Sequence, residues 1–196
     1  LHPRVRRQRQ MCIRDSLIAH AHVSPTHFLE CTVRPSIISK GQEESITRIF
    51  SVADKARKVE QFDSVIDSLR GFEKLENISE ISIEKKELND ANLEECVSLA
   101  LEESVINTDH TLVTSITTSG GELLKDNIFL VDMPGLDGGY VNLDNPIYET
   151  ISQRADFVIF VQSSNSAISK VSNRFLKLLQ ENNPKVPVCL LHNAVS

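Results

Sequence analysis

Asn127–Gly139 reads NIFLVDMPGLDGG, an apolar run that stops at Asp132 and gives way to Pro134, Gly135, Gly138 and Gly139. Ile128–Val131 are β-branched, aromatic or large aliphatic residues without alternation, the pattern of a strand buried on both faces of a parallel sheet. A carboxylate, Asp132, then stands at its carboxyl end. In open α/β sheets ligands bind at that end, and a carboxylate there can hold Mg²⁺, usually through its water shell, beside the phosphates of a nucleotide. Pro134 stiffens the exit, and Gly135 lets a backbone N–H approach a phosphate oxygen. The alternative is a strand followed by an ordinary turn, in which Asp, Pro and Gly are common for local reasons alone.

On the amino-terminal side, HTLVTSITTS (His110–Ser119) reads as a Thr-rich strand and Gly120-Gly121 as a turn. A hairpin there would bring the chain to Asp132 antiparallel to its predecessor. Further back, Glu44–Val52 alternates as a strand does. Ala56, Val59, Phe62, Ile66 and Leu69 recur at three or four residues and predict an amphipathic helix over Ala53–Leu69 that ends at Gly71. Glu73–Asn89 reads as a charged connection. Leu93, Val97, Leu101 and Val105 then repeat every four residues and mark a second helix, with Glu94, Glu95, Glu102 and Glu103 largely outward. On the carboxyl side a loop leads to a helix from about Asn145 to Arg154 and a strand over Phe157–Gln162. A helix comes next with Ile168, Val171, Phe175 and Leu178 on one stripe, opened by helix-capping residues and closed by Asn182-Asn183-Pro184. Val186–Asn193 completes the series as a buried strand. Such alternation predicts an α/β fold with a doubly wound, mostly parallel sheet and helices on both faces.

With 196 residues, 40% hydrophobic and 24% charged, the chain has the composition of a folded α/β domain. Its net charge of −6 is uneven. Leu1–Arg14 holds five arginines and no acid, and the remainder carries 16 basic against 27 acidic residues. That body offers no electrostatic footing for nucleic acid, which is bound by neutralising phosphates with Lys and Arg. Cys12, Cys31, Cys96 and Cys189 are far apart and form no Cys-x-x-Cys pair, so neither a zinc site nor a disulfide framework is indicated and a reduced cytoplasmic setting suits them. His20, His22 and His27 lack a neighbouring carboxylate or thiol in sequence and read as solvated loop residues. No apolar stretch approaches the roughly 20 residues of a membrane span, so any membrane contact is expected to be peripheral.

Asp132-Met133-Pro134-Gly135 resembles the third motif of the GTPases, and its surroundings are similar to the dynamin family. In that family an aliphatic strand feeds Asp-x-Pro-Gly-Leu, and a Thr lies well upstream in a Cys-Thr-x-Arg-Pro segment, here Cys31-Thr32-Val33-Arg34-Pro35. FVIFVQSSNSAISKVSNRFLKLL (Phe157–Leu179) is similar to the family's next strand and helix. The resemblance covers most of Phe28–Asn193 and is strongest to bacterial dynamin-like proteins. It implies a P-loop GTPase fold and Mg²⁺-dependent hydrolysis of GTP. Asp132 would anchor the ion through water, the Gly135 N–H would meet the γ-phosphate, and Thr32 would hold both metal and attacking water as the catalytic residue. Asn193 falls where the family reads the guanine base, although Ser196 lacks the carboxylate that takes guanine's two donors. Leu136 cannot orient water, which agrees with sites that the family completes by homodimerising across the nucleotide. Loss of the γ-phosphate would release Tyr140–Asn145, and membrane remodelling would be the output.

A GTPase of this type needs Gly-x-x-x-x-Gly-Lys-Ser/Thr before its first helix, so that N–H groups wrap the phosphates and the Lys offsets their charge. No such motif occurs in this sequence. Leu1–Ser16 resembles translated adapter sequence and is set aside from fold reasoning, leaving residues 17–196 as a partial GTPase domain. SLIAHA from Ser16 resembles the family's segment just after the loop Lys, which would put Ser16 at the Mg²⁺-binding hydroxyl. On this reading the chain is truncated at both ends and is itself inactive, while its intact parent hydrolyses GTP. Two alternatives remain open: a scaffold that keeps the fold without nucleotide, and a GTPase acting on ribosome or RNA.

Overall fold

The computed structural model describes residues 35–51, 55–71, 78, 80–97, 111–119, 124–133, 136, 146–163 and 168–193. They fall into two compact units that part between Gly135 and Leu136.

The first unit contains β1 (Ser36–Lys40), β2 (Ser45–Ser51), α1 (Lys55–Gly71), β3 (Ile81–Glu87), α2 (Asp90–Val97), β4 (Thr111–Thr118) and β5 (Leu130–Asp132). Its strands form one sheet in the order β3-β2-β4-β1-β5. Only β1 and β4 run parallel there; β1–β5, β2–β3 and β2–β4 are antiparallel. The sheet is therefore mixed and mostly antiparallel, against the doubly wound parallel sheet that the alternation of elements predicts. For β2 the cause is a short connection. Residues 41–44 carry the chain across the end of β4, and so few residues cannot make the long crossover that parallel strands require. The Gly41 N–H donates to the Thr118 carbonyl at 3.0 Å, and a Cβ at this position would collide with the Thr117 methyl, so the crossing is made by the residue that lacks one.

Side chains that face each other across paired strands share a face of the sheet. One face carries Ile38, Ile46 and Ile116, which pack with Leu93 and Cys96 of α2 and with Leu124 in a single buried cluster. Asn89 caps that helix, its Oδ1 accepting from the Asn92 N–H at 2.9 Å. The opposite face carries Ile49, Val113 and Ser51. There α1 is tied on by a hydrogen bond from the Ser51 hydroxyl to Gln61, with Phe62, Val65 and Ile66 buried beside it. Helices thus cover both faces, as the sequence predicts.

Three local expectations change. β4 and β5 do run in opposite directions, but they form no hairpin, because β1 lies between them and pairs with both. β5 is a three-residue strand, half-buried, at the border of the described sheet, and Ile128 ahead of it is 47% exposed. A run apolar enough for a doubly covered strand here has one described neighbour. The charged connection also holds a strand, β3, whose outer position lets Glu84, Lys85, Lys86 and Glu87 reach water.

The second unit contains α3 (Pro146–Arg154), β6 (Val158–Ser163), α4 (Lys170–Asn182) and β7 (Val188–Asn193). β6 and β7 pair in parallel from Val158↔Val188 to Ser163↔Asn193. α4 is capped by Ser169, whose Oγ accepts from the Ser172 N–H at 3.0 Å. Its buried stripe is Ser172, Phe175 and Leu179, whereas the predicted stripe members Ile168 and Val171 are exposed. The stripe turns because α4 packs beside α3: Asn182 Nδ2 donates to Ser152 Oγ at 2.9 Å, and Asn183 Nδ2 to the Ala155 carbonyl at 2.9 Å. β7, predicted to be buried, leaves Val188, Leu190 and Leu191 exposed.

Candidate functional site

Asp132 is the last residue of β5, half-buried, and its direct partner across the antiparallel pair is Ser36, the first residue of β1. The register extends this pair into a row. Glu84 of β3 faces Arg48 of β2, Arg48 faces Thr114 of β4, Thr114 faces Ser36, and Ser36 faces Asp132. One polar residue from each of the five strands therefore lies on the α2 face, immediately beside the apolar row of Ile46, Ile116, Ile38 and Leu130.

Most of the row has known partners. Arg48 lies 3.6 Å from Glu84 and 3.8 Å from Glu95 of α2, with its guanidinium 4.6 Å from the centre of the Phe50 ring. Lys86 joins this group, 2.7 Å from Glu95 and 3.2 Å from Glu84. The hydrogen bond to Glu95 raises the Lys86 ammonium above its ordinary value, and the same bond lowers the Glu95 carboxyl. Burial pushes the neighbouring Cys96 thiol up. Thr114 Oγ1 donates to the Cys96 carbonyl at 3.2 Å. Asp132 takes part in a polar interaction of its own. Ser36 differs: it is 1% exposed, and its hydroxyl has no hydrogen-bond partner.

Thr32, Gly135 and Ser16 lie outside the described residues. Asn193 ends β7, opposite Ser163, in the second unit. Of the residues singled out from sequence, Asp132 is the one whose immediate surroundings are described. Ser36 is not legible as a site residue in the sequence, since a Ser opening the strand SIISK carries no local signal. Only its pairing with Asp132 marks it.

Among the described residues no group of three or more His, Cys, Asp or Glu forms a metal cage. Mg²⁺ at a nucleotide does not require one, because it keeps several waters and takes one or two carboxylates together with phosphate oxygens. Asp132 suits such an ion as a carboxylate at a strand end, and it lies opposite a buried hydroxyl that has no hydrogen-bond partner. No described helix is long and apolar enough to cross a membrane.

The sequence profile of the Dynamin family matches residues 16–194. No curated protein matches the chain. Two solved structures are similar, both from work described as an oligomerised bacterial dynamin pair that provides a mechanism for long-range sensing and tethering of membranes. The first has 20% identity and a TM-score of 0.48, over 84% of this chain and 23% of its own. The second has 22% identity and a TM-score of 0.45, over 83% of this chain and 27% of its own. The chain thus spans about a quarter of the length of those structures.

Proposed function

Because the chain belongs to the dynamin family, we propose that it serves in a GTP-binding and GTP-hydrolysing domain, with Asp132 as the group that meets the nucleotide's divalent ion. The observation that carries this reading is the position of Asp132: it ends β5, Pro134 and Gly135 come after it, and it faces the first residue of β1. Thr32 lies four residues before Ser36.

In this proposal Asp132 orients the metal's water shell, the Gly135 N–H donates to the γ-phosphate, and Thr32 positions the attacking water. Ser16 adds a hydroxyl to the ion, and Asn193 hydrogen-bonds to the base. When bound, Mg²⁺ supplies charge neutralisation for the phosphates. The protein's own contribution is positioning and fixed dipoles, the main sources of acceleration in phosphoryl transfer. The Leu136 side chain has no polar atom with which to orient water, which supports a second copy completing the site across the nucleotide. Peripheral contact with a membrane from the cytoplasmic side, and remodelling of it, rest on family analogy alone.

The test is Asp132→Ala in the full-length gene product, with GTP turnover and thermal stability read together. Turnover should fall by orders of magnitude, while unfolding free energy changes by less than about 1 kcal/mol, as expected for a half-buried strand-end residue. Thr32→Ala should act in the same direction on turnover. Intact turnover in both variants, or unfolding by several kcal/mol in Asp132→Ala, would return the motif to a strand and its turn.

A further inference from the structure

We propose that Ser36 is a positioning residue for Asp132: its hydroxyl has no partner in the ion-free protein, and it donates to the carboxylate once Asp132 turns to meet a hydrated divalent cation, fixing that orientation. The proposal rests on Asp132 being the metal group, and it adds a residue that the Asp-x-Pro-Gly motif does not contain.

The hydroxyl is the starting point. A buried polar group without a partner lowers stability, and each one in a folded protein calls for a reason. Ser36 is such a group at 1% exposure. Its two cross-strand neighbours on the same face are Thr114 and Asp132. Thr114 already donates its hydroxyl to the Cys96 carbonyl. The next pair along β1 and β5 on this face is Ile38 and Leu130, which is apolar. Thr114 Oγ1 keeps lone pairs of its own, but Asp132 is the charged acceptor of the two neighbours, and hydrogen bonds to charged groups are the stronger.

Reach and chemistry agree. Directly opposite residues of an antiparallel pair have Cβ atoms about 4.5–5.5 Å apart, and a Ser hydroxyl turns about one side-chain bond without moving the backbone. A carboxylate has about four acceptor sites. Asp132 already takes part in one interaction, and four acceptor sites are enough for that partner, one water of an ion's shell and a hydroxyl. Carboxylates at metal sites are themselves hydrogen-bonded in this way, and loss of such a partner typically weakens metal affinity about 10–100-fold. A Ser kept for this purpose has a signature that a structural Ser lacks: its removal relieves a buried unsatisfied group, so the ion-free protein should not suffer.

The experiment uses the full-length gene product with GDP and Mn²⁺ as the probe, Mn²⁺ affinity being read by electron paramagnetic resonance and the ion-free melting temperature being read separately. Ser36→Ala should weaken Mn²⁺ at least about tenfold with the ion-free melting temperature unchanged or raised, and Ser36→Thr, which restores a hydroxyl, should recover most of the affinity. If Asp132→Ala abolishes Mn²⁺ binding while Ser36→Ala stays within about twofold of the parent, the role assigned to Ser36 is wrong and that of Asp132 stands. If Asp132→Ala leaves Mn²⁺ affinity intact, the metal reading of Asp132 fails and the proposal fails with it. A fall of several degrees in the ion-free Ser36→Ala protein, with no recovery of Mn²⁺ affinity in Ser36→Thr, marks the residue as structural and overturns the proposal.

Discussion

The two units use strands of similar composition and bury them differently. In the first, Ile37, Ile38, Ile46, Ile49, Val113 and Ile116 are all at 2% exposure or less, because a helix lies on each face of five strands. In the second, Ile159, Val161 and Leu191 share one face of β6 and β7 and remain 47–49% exposed, and on the other face Val188 and Leu190 are 45% exposed beside a buried Phe160. Parallel strands are normally covered on both faces, and among the described residues this pair is fully covered on neither. Apolar content therefore describes what a strand can bury. Its neighbours decide what it does bury.

The largest effect expected from this contrast compares identical truncations. Ile38→Ala removes a fully buried side chain from the central cluster and should cost about 2–5 kcal/mol. Ile159→Ala, on the uncovered face, should cost under about 1 kcal/mol. Chemical denaturation of the two variants measures both. Equal costs would mean that the face of β6 is covered in solution, and the contrast would disappear.

Next comes alkaline pH, which acts on the part of the second unit that is buried. Burial raises the Tyr148 phenol on α3 from its ordinary value near 10 to about 12. Because the folded value is the higher one, the corresponding stability is complete below pH 10 and is lost as pH rises towards about 12. Tyr148→Phe should remove that part of the slope, as tracked by denaturation midpoints at pH 9, 10 and 11. An unchanged slope would place Tyr148 in contact with solvent. The smallest effect belongs to the cap of α4. Ser169→Ala should cost about 1 kcal/mol and reduce hydrogen-exchange protection in the first turn of that helix, leaving β1–β5 unaffected.

Much of the fold is legible in the sequence wherever a periodicity is clean. The spacing of Phe62 and Ile66 marks α1, the Thr-rich run marks β4, and the paired Asn residues at 182 and 183 close α4. β3 is not legible, because Ile81-Ser82-Ile83 alternates for three residues and four charges come next. Those charges are tolerated only at a border position, and pairing order is a property of the assembled sheet rather than of the segment. The same holds for β5, whose continuous apolar run cannot distinguish a central strand from an outer one. At the candidate site the signal is equally divided. Asp132 is recognisable from the Pro and Gly just beyond it, whereas Ser36, some hundred residues earlier in the chain, acquires its meaning only from the register of β1 on β5.

The charged border strand also bears on how the chain behaves while it folds in company. An outer strand's open row of N–H and C=O groups is a template onto which another chain can add. On β3, Glu84 and Lys86 point to one side and Lys85 and Glu87 to the other, so any strand that docks there must strip water from charges on both sides. β5, at the opposite border among the described strands, is three residues long and offers little to pair with. β6 and β7 contain no charged residue at all. Self-association of this chain is therefore expected to begin in the second unit, at its uncharged parallel pair, rather than along the longer sheet of the first.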